Sequence, residues 1–355
     1  MQLVDSATSV RRGEELNLTA LQTYLEGKLP DFAGQLEVKQ FPSGYSNLTY
    51  LLQAGEKKLV LRRPPFGTKA RSAHDMGREF RVLSGLRPLY RYCPEPLLYC
   101  EDDTVLGGEF YLMSNIEGLI IRKDYPPGLS LSPQQVQQQF FNLIDAMAEL
   151  HKVDYQAAGL AELGKPEGYV ERQVRGWSKR YEAAITPDAP DFKLTRTWLR
   201  EKMPGDSGYV GIIHNDFKLD NVVWDVADPM RLIGVLDWEM ATLGDPLMDL
   251  GSTLGYWVQK DDPDFLRAGR LMPTDVEGAP SRREIVDRYS ERTGYSMQHM
   301  DFYFCFGLFR LAVIAQQIYY RYYHGQTADQ RFADCIKWVQ GLERMCQELL
   351  DRSRL

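Results

Sequence analysis

The spacing of apolar residues changes period along this chain. Between 14 and 28, Leu16, Leu18, Leu21, Tyr24 and Leu25 recur near helical spacing and predict a short amphipathic helix. Three strands are then expected at Leu36–Phe41, Leu48–Gln53 and Lys58–Arg62. The first two are joined by Pro42-Ser43-Gly44-Tyr45-Ser46-Asn47, the last two by a turn at Ala54-Gly55-Glu56. After the break at Pro64-Pro65, a helix is predicted from near Ala73 through Met76, Glu79, Phe80, Val82 and Leu83. Two more strands follow at Leu97–Glu101 and Gly108–Met113, with a turn at Asp102-Asp103 between them. From Ser132-Pro133 the period is helical: serine is a good N-cap and proline fits the first helical position. Val136, Phe140, Phe141, Ile144, Met147, Ala148 and Leu150 form one stripe that ends at His151, which reads as structural.

Helices are also expected within 152–209, which carries Trp177, Tyr181 and Trp198. Two short apolar runs then stand out. Val210–Ile213 leads into His214-Asn215-Asp216-Phe217-Lys218-Leu219-Asp220-Asn221, and Leu232–Leu236 leads into Asp237-Trp238-Glu239. Each run delivers a carboxylate to a loop. Past them, Asp245 caps a helix with Pro246 at its first position, and Asp249 is placed to hydrogen-bond back to the loop of Asp216. The stretch from Lys260 to Pro280 reads as an irregular loop, and helices including Phe302–Tyr323 and Ala328–Arg352 finish the chain.

Composition narrows the classes. The 355 residues can bury a large core and suggest two domains or lobes. A net charge of −7 argues against a nucleic-acid binder, which needs a basic face to neutralise phosphates. The five cysteines are an odd number without a Cys-x-x-Cys pair, which points to reduced thiols in a cytoplasm and away from a structural zinc. The N-terminus lacks the basic and apolar regions of a signal peptide. The most apolar stretch, Phe302–Tyr320, is interrupted by Arg310, Gln316 and Gln317, so it is read as a buried helix and no membrane partner is expected.

The two loops suit the movement of a phosphoryl group. That reaction needs a carboxylate to accept a hydroxyl proton and hard oxygen ligands to hold magnesium against nucleotide phosphates. His214-x-Asp216, with Asn221 five residues past the aspartate, has the spacing of the kinase catalytic loop, and Asp237 stands where a metal-binding Asp-Phe-Gly aspartate would be. The chain resembles the aminoglycoside phosphotransferase and choline kinase branch of the protein-kinase-like fold, in which Asp-Phe-Gly takes forms such as Asp-Trp-Glu. More narrowly, Leu61-Arg62-Arg63-Pro-Pro, Ala73-His74-Asp75-Met76-x-x-Glu79 and the run from His214 to Asn221 resemble phosphotransferase domains associated with acyl-CoA dehydrogenases.

The resemblance implies an α+β, bilobal fold: a small antiparallel-sheet N-lobe over 1–113, a hinge near 113–118, and a larger helical C-lobe over 119–355. It implies ATP and Mg²⁺ as cofactors. Asp216 would accept the acceptor's hydroxyl proton, Lys218 would touch the γ-phosphate, and His214 would orient the loop. Asn221 and Asp237 would hold the metal. Arg62, standing where kinases carry lysine, would hold α- and β-phosphate oxygens with Glu79 as its partner. Ser43, Gly44, Ser46 and Asn47 would approach the phosphates, while Val60, Met113, Ser114 and Ile116 would line the nucleotide site. The acceptor would be a small-molecule hydroxyl, such as that of a hydroxyacyl-CoA, with a functional link to an acyl-CoA dehydrogenase. An aminoglycoside-type antibiotic kinase, a kinase of protein side chains and a non-catalytic nucleotide-binding domain are the alternatives.

Overall fold

The computed structural model describes residues 7–29, 31–32, 34–42, 47–66, 75–205 and 207–355. The chain divides into two compact units, Met1–Ile120 with Gln156–Leu160 and Val222–Ala241, and Ile121–Tyr155 with Ala161–Asn221 and Thr242–Leu355.

The first unit is built on an antiparallel sheet of β1 (Leu36–Gln40), β2 (Leu48–Ala54), β3 (Lys57–Arg63), β4 (Pro96–Cys100) and β5 (Phe110–Ser114), in the order β1-β2-β3-β5-β4. Side chains alternate across its faces. Leu48, Tyr50, Leu52 and Ala54 of β2 point into a core shared with Leu61, Phe110, Leu112 and with Leu21 and Leu25 of helix α1 (Leu18–Lys28). Residues one step along, Val60 and Arg62, point to the opposite face, where they pair across the strands with Met113 and Tyr111. Helix α2 (Met76–Leu86) packs on β4 and β5.

Several boundaries differ from the sequence expectation, each for a local reason. Helix α1 starts at Leu18, not at 14, because the Asn17 side chain caps it by accepting from Ala20 N–H at 3.2 Å. The expected start of the next helix at Ala73 lies outside the described residues; α2 begins at Met76, capped by Asp75, which accepts from Arg78 N–H at 2.7 Å. Asp102-Asp103, expected as a turn, opens the one-turn helix α3 (Asp103–Leu106). The Asp102 carboxylate accepts from the Thr104 N–H and hydroxyl, and Gly107 ends the helix at φ 74°.

The second unit is mainly helical. Helix α4 (Pro133–His151) opens on a complete capping box between Ser132 and Gln135. Helices α5 (Tyr169–Ala184) and α6 (Lys193–Glu201) occupy only part of 152–209, the rest being irregular. Strand β6 (Gly211–Ile213) follows and pairs with β9 (Thr242–Gly244). The intervening hairpin of β7 (Val222–Trp224) and β8 (Leu232–Val235) belongs to the first unit. Next come α7 (Pro246–Gly255), α8 (Asp264–Gly269), α9 (Arg282–Thr293), α10 (Met300–Tyr323) and α11 (Cys335–Arg352). Helix α8 falls inside 260–280, which the sequence suggested was wholly irregular.

Helix α10 is the centre of this unit. It crosses α7 at near backbone contact, because a Cβ on Gly251 would lie 2.3 Å from the Tyr303 carbonyl oxygen and one on Gly307 would lie 2.0 Å from that of Gly251. By length and mean hydropathy it could cross a membrane, yet 78% of its most apolar window is buried inside the protein.

Candidate active site

In the first unit, the site grows from β3. Arg62 faces α2 and the segment that follows β8, and its guanidinium is gripped by three carboxylates. Nη1 lies 3.1 Å from Glu79 Oε1, both terminal nitrogens donate to Asp237 Oδ1 at 3.1 Å, and Nη2 lies 3.3 Å from Glu239 Oε2. Glu239 Oε2 also accepts from Asn47 Nδ2 at 2.9 Å. Burial opposes the charge on Arg62, but Glu79, Asp237 and Glu239 more than reverse this and raise the guanidinium well above its ordinary value. Glu79 sits deeper than Asp237, and burial pushes its carboxyl up despite Arg62. The Asp237 side chain is 38% exposed, against 3% for Glu79. Of the two carboxylates whose exposure differs most, Asp237 is the one a cation from solvent can reach.

Asp237 adopts φ 65°, a conformation that a non-glycine residue keeps only when its surroundings dictate it. The neighbouring Trp238 supplies part of that constraint. Its ring is buried against Tyr90, and its Nε1 donates to the Val235 carbonyl at 2.9 Å. Arg78 donates to the carbonyls of Glu239 and Ala241, which fixes the chain just beyond.

In the second unit, the loop after β6 is held through its backbone. Asp249, fully buried on α7, accepts from His214 N–H at 2.7 Å and from Asn215 N–H at 2.9 Å. Its Oδ2 also meets His151 Nε2 at 3.1 Å, and His151 Nδ1 meets the Tyr289 hydroxyl at 2.6 Å. Burial works against the Asp249 anion, but the hydrogen bond and charge of His151 and the backbone donor outweigh it and hold the carboxyl below its usual range. Asn215 has φ 66°, with its side chain accepting from the Tyr169 hydroxyl at 3.2 Å and its carbonyl accepting from Arg310 at 2.7 Å.

These restraints present Asp216. Asn221 Nδ2 donates to Asp216 Oδ2 and to its carbonyl oxygen, both at 2.8 Å, and Lys218 Nζ lies 3.3 Å from Asp216 Oδ2 and 3.3 Å from Asp220 Oδ2. The ring of His214 is buried, and its Nδ1 accepts from Asp216 N–H at 3.3 Å, an orienting contact. Burial pulls Lys218 down, but Asp216 and Asp220 reverse this and raise it. Burial pushes Asp220 up.

Of the nucleotide-site candidates, Arg62, Glu79, Asn47 and the cross-strand pair Val60–Met113 share the first unit's sheet face and its edge. Ser114 gives its N–H to the Glu95 carbonyl at 2.8 Å and accepts from Glu95 N–H through its hydroxyl at 2.9 Å, so that N–H is already engaged. Ile116 packs against Gly234 of β8. Ser43, Gly44 and Ser46 lie outside the described residues. Glu239 carries more of the cluster than its place in Asp-Trp-Glu suggested, and Arg310 was visible in sequence only as an interruption of an apolar run.

No group of three or more His, Cys, Asp or Glu among the described residues is placed to hold a metal ion by itself. Magnesium does not need one, because it binds through one or two carboxylates or amides with water and phosphate completing its shell. Asn221 spends its amide nitrogen on Asp216, which leaves its carbonyl oxygen for a cation, and Asp237 offers an exposed carboxylate. Both are hard oxygen donors that fit that ion.

Residues 37–284 match the model of the phosphotransferase enzyme family. The chain belongs to that family. It is 34% identical over 337 residues to acyl-CoA dehydrogenase family member 11 of Rattus norvegicus, a match that covers 93% of the chain and 43% of that protein. It is 34% identical over 328 residues to family member 10 of Mus musculus, covering 92% and 30%. The chain therefore spans less than half the length of these relatives. Among solved structures, one from Ralstonia eutropha described provisionally as an aminoglycoside phosphotransferase has TM-score 0.83 and 30% identity, over 96% of this chain and 100% of that one. Choline kinase of Cryptosporidium parvum has TM-score 0.63 at 12% identity, over 94% and 96%. The GDP complex of aminoglycoside 2'-phosphotransferase-IIIa has TM-score 0.59 at 16% identity, over 93% and 99%. The fold of this chain is thus the α+β, kinase-like one that the sequence resemblance implied.

Proposed function

We propose that this chain transfers the γ-phosphate of Mg-ATP to a hydroxyl group of a small molecule, with a hydroxyacyl-CoA or related hydroxylated metabolite as acceptor. The observation that carries this reading is Asp216, a carboxylate steadied by Asn221 at 2.8 Å on a loop whose backbone is fixed by buried Asp249. In the reaction the acceptor oxygen forms a bond to the γ-phosphorus as the bond from that phosphorus to the β–γ bridging oxygen breaks and ADP leaves. Asp216 takes the hydroxyl proton. Lys218 would move from its carboxylate neighbours toward the γ-phosphate, and Arg62, held by Glu79, would balance the α- and β-phosphates. Magnesium, bound through the oxygens of Asn221 and Asp237, would supply charge neutralisation across the phosphates.

The acceptor class is drawn from the relatives named as acyl-CoA dehydrogenase family members, with which this chain shares a segment. A functional partnership with an acyl-CoA dehydrogenase follows from the same reading. The test is phosphoryl transfer from Mg-ATP and Mg-GTP to a panel of hydroxyacyl-CoA esters, free hydroxy acids, aminoglycosides, choline and sugars. Transfer to the hydroxyacyl group supports the proposal. Transfer to aminoglycosides alone replaces the acceptor, and tight nucleotide binding without transfer to any hydroxyl favours a non-catalytic domain.

A further inference from the structure

Arg310 is a buried cation with no carboxylate counterion among the described residues. It lies on the face of α10 toward the catalytic loop with 5% of its surface exposed, and it forms no ion pair with any carboxylate among the described residues. Its guanidinium carries five N–H donors, of which one hydrogen bond, from Nη2 to the carbonyl of Asn215 at 2.7 Å, is made within the described residues. The charge also lies 5.2 Å from the ring of Trp177 and within electrostatic reach of the Tyr169 and Tyr256 phenols, none of which carries a negative charge to match it. The remaining buried arginines among the described residues are better provided for. Arg62 has three carboxylates, and Arg63 has the carbonyls of Pro64 and Leu106 with the ring of Phe66 at 3.7 Å. A buried charge left this open is costly unless something else meets it.

The surroundings indicate what that is. Asn215 directly precedes Asp216, so Arg310 stands one residue behind the proposed base. A second arginine, Arg180, lies over the same Trp177 ring at 4.5 Å, exposed and also without a carboxylate partner among the described residues. Lys218 lies 5.5 Å from the ring centre of half-buried Tyr256, whose phenol is within electrostatic reach of Arg310, Lys218, Asp216 and Asp220 and is pushed up by burial. An indole face with two arginines would repel a polycation or a quaternary ammonium and would attract an oxyanion.

We propose that Arg310 is an acceptor-side anion site: it binds a carboxylate or phosphate oxygen of the hydroxylated substrate and selects anionic acceptors over neutral and cationic ones. The proposal rests on the phosphotransferase reading above and adds the charge of the acceptor to it. Arg180 extends the positive strip outward, toward the rest of a longer anionic acceptor.

The experiment compares wild type, Arg310→Met and Arg310→Lys with 3-hydroxybutyrate, its CoA thioester, its uncharged amide, choline and kanamycin. It reads KM and kcat for phosphoryl transfer, and direct calorimetric binding of each compound without nucleotide. Wild type is expected to favour the acid or the thioester over the amide. Arg310→Met should lower that preference about 10- to 100-fold through KM and through direct binding, as loss of a charge-assisted contact does, and Arg310→Lys should restore part of it. Loss of preference for the acid identifies a carboxylate, and loss for the thioester alone identifies the phosphates of CoA. The proposal is overturned if Arg310→Met lowers kcat equally for charged and uncharged acceptors, since Arg310 would then only brace Asn215. It is also overturned if wild type transfers to choline or kanamycin in preference, an outcome that leaves the phosphotransferase standing. Absence of transfer to every compound removes the phosphotransferase reading and this site with it.

Discussion

Two loops in this chain carry a residue at positive φ at or next to a carboxylate of the candidate site, and the bonds that hold them differ in kind. Asn215, ahead of Asp216, is fixed by backbone hydrogen bonds to one buried carboxylate, Asp249, which is itself backed by His151 and Tyr289. Asp237 is fixed by side-chain charge, through a guanidinium it shares with Glu79 and Glu239. Backbone bonds to a buried acceptor have no charged competitor, so the first loop is expected to keep its shape when ligand binds. Shared ion pairs can be exchanged, so the second can release its carboxylate to a cation and its arginine to a phosphate. Under the proposed function, the chemistry falls to the first loop and the response to ligand to the second.

The contrast can be broken most severely at Asp249. Asp249→Ala leaves two buried N–H groups and His151 without their acceptor, and should cost about 3–5 kcal/mol in urea unfolding, with transfer activity falling in parallel. Arg62→Met should cost less stability, because Glu79 can protonate once its cation is gone. It should weaken Mg-ATP binding about 10- to 100-fold by calorimetry, the loss expected for charge-assisted contacts. If Arg62→Met unfolds the protein while Asp249→Ala does not, the assignment of rigid and exchangeable loops is reversed.

A smaller effect separates the regions by sign. Asp249 titrates below its ordinary value of 3.8, so the stability it contributes is fully present above that pH and is lost as pH falls through its lowered value. The deficit of Asp249→Asn should therefore shrink in melts taken progressively below pH 3.8. Glu79 titrates above its ordinary 4.5, so its ionisation weakens the fold as pH rises through its raised value. The deficit of Glu79→Gln should shrink in the other direction, as pH climbs above 4.5. Parallel pH trends for the two variants would contradict the comparison.

Much of this was legible in sequence because it is encoded locally. Strand alternation placed Arg62 and Arg63 on opposite faces, the partnership of Arg62 with Glu79 was implied by the kinase resemblance, and Asp245 and Ser132 announced their helices as N-caps. The hydrogen bonds from the loop backbone to Asp249 were also anticipated. Short capping signals were missed where charge resembled a turn, as at Asp102, because an aspartate that caps and one that turns use the same carboxylate-to-amide bond. Arg310 was illegible for a different reason. Its partners, Asn215 and Trp177, are remote in sequence, and only packing of α10 against the loop shows that no carboxylate among the described residues meets it. Glu239 likewise gained its place only when β3 and the β7–β8 hairpin brought it to Arg62 and Asn47.

The central claim is that Asp216 is the base of a phosphoryl transfer, and single-turnover transfer of labelled γ-phosphate by wild type and Asp216→Asn tests it most directly. With an acceptor used by the wild type, the variant should be slower by roughly 10²- to 10⁴-fold while its affinity for Mg-ATP stays within a few-fold. Equal single-turnover rates in the two proteins would contradict the account, because the rigid loop would then be presenting a carboxylate that the chemistry does not use.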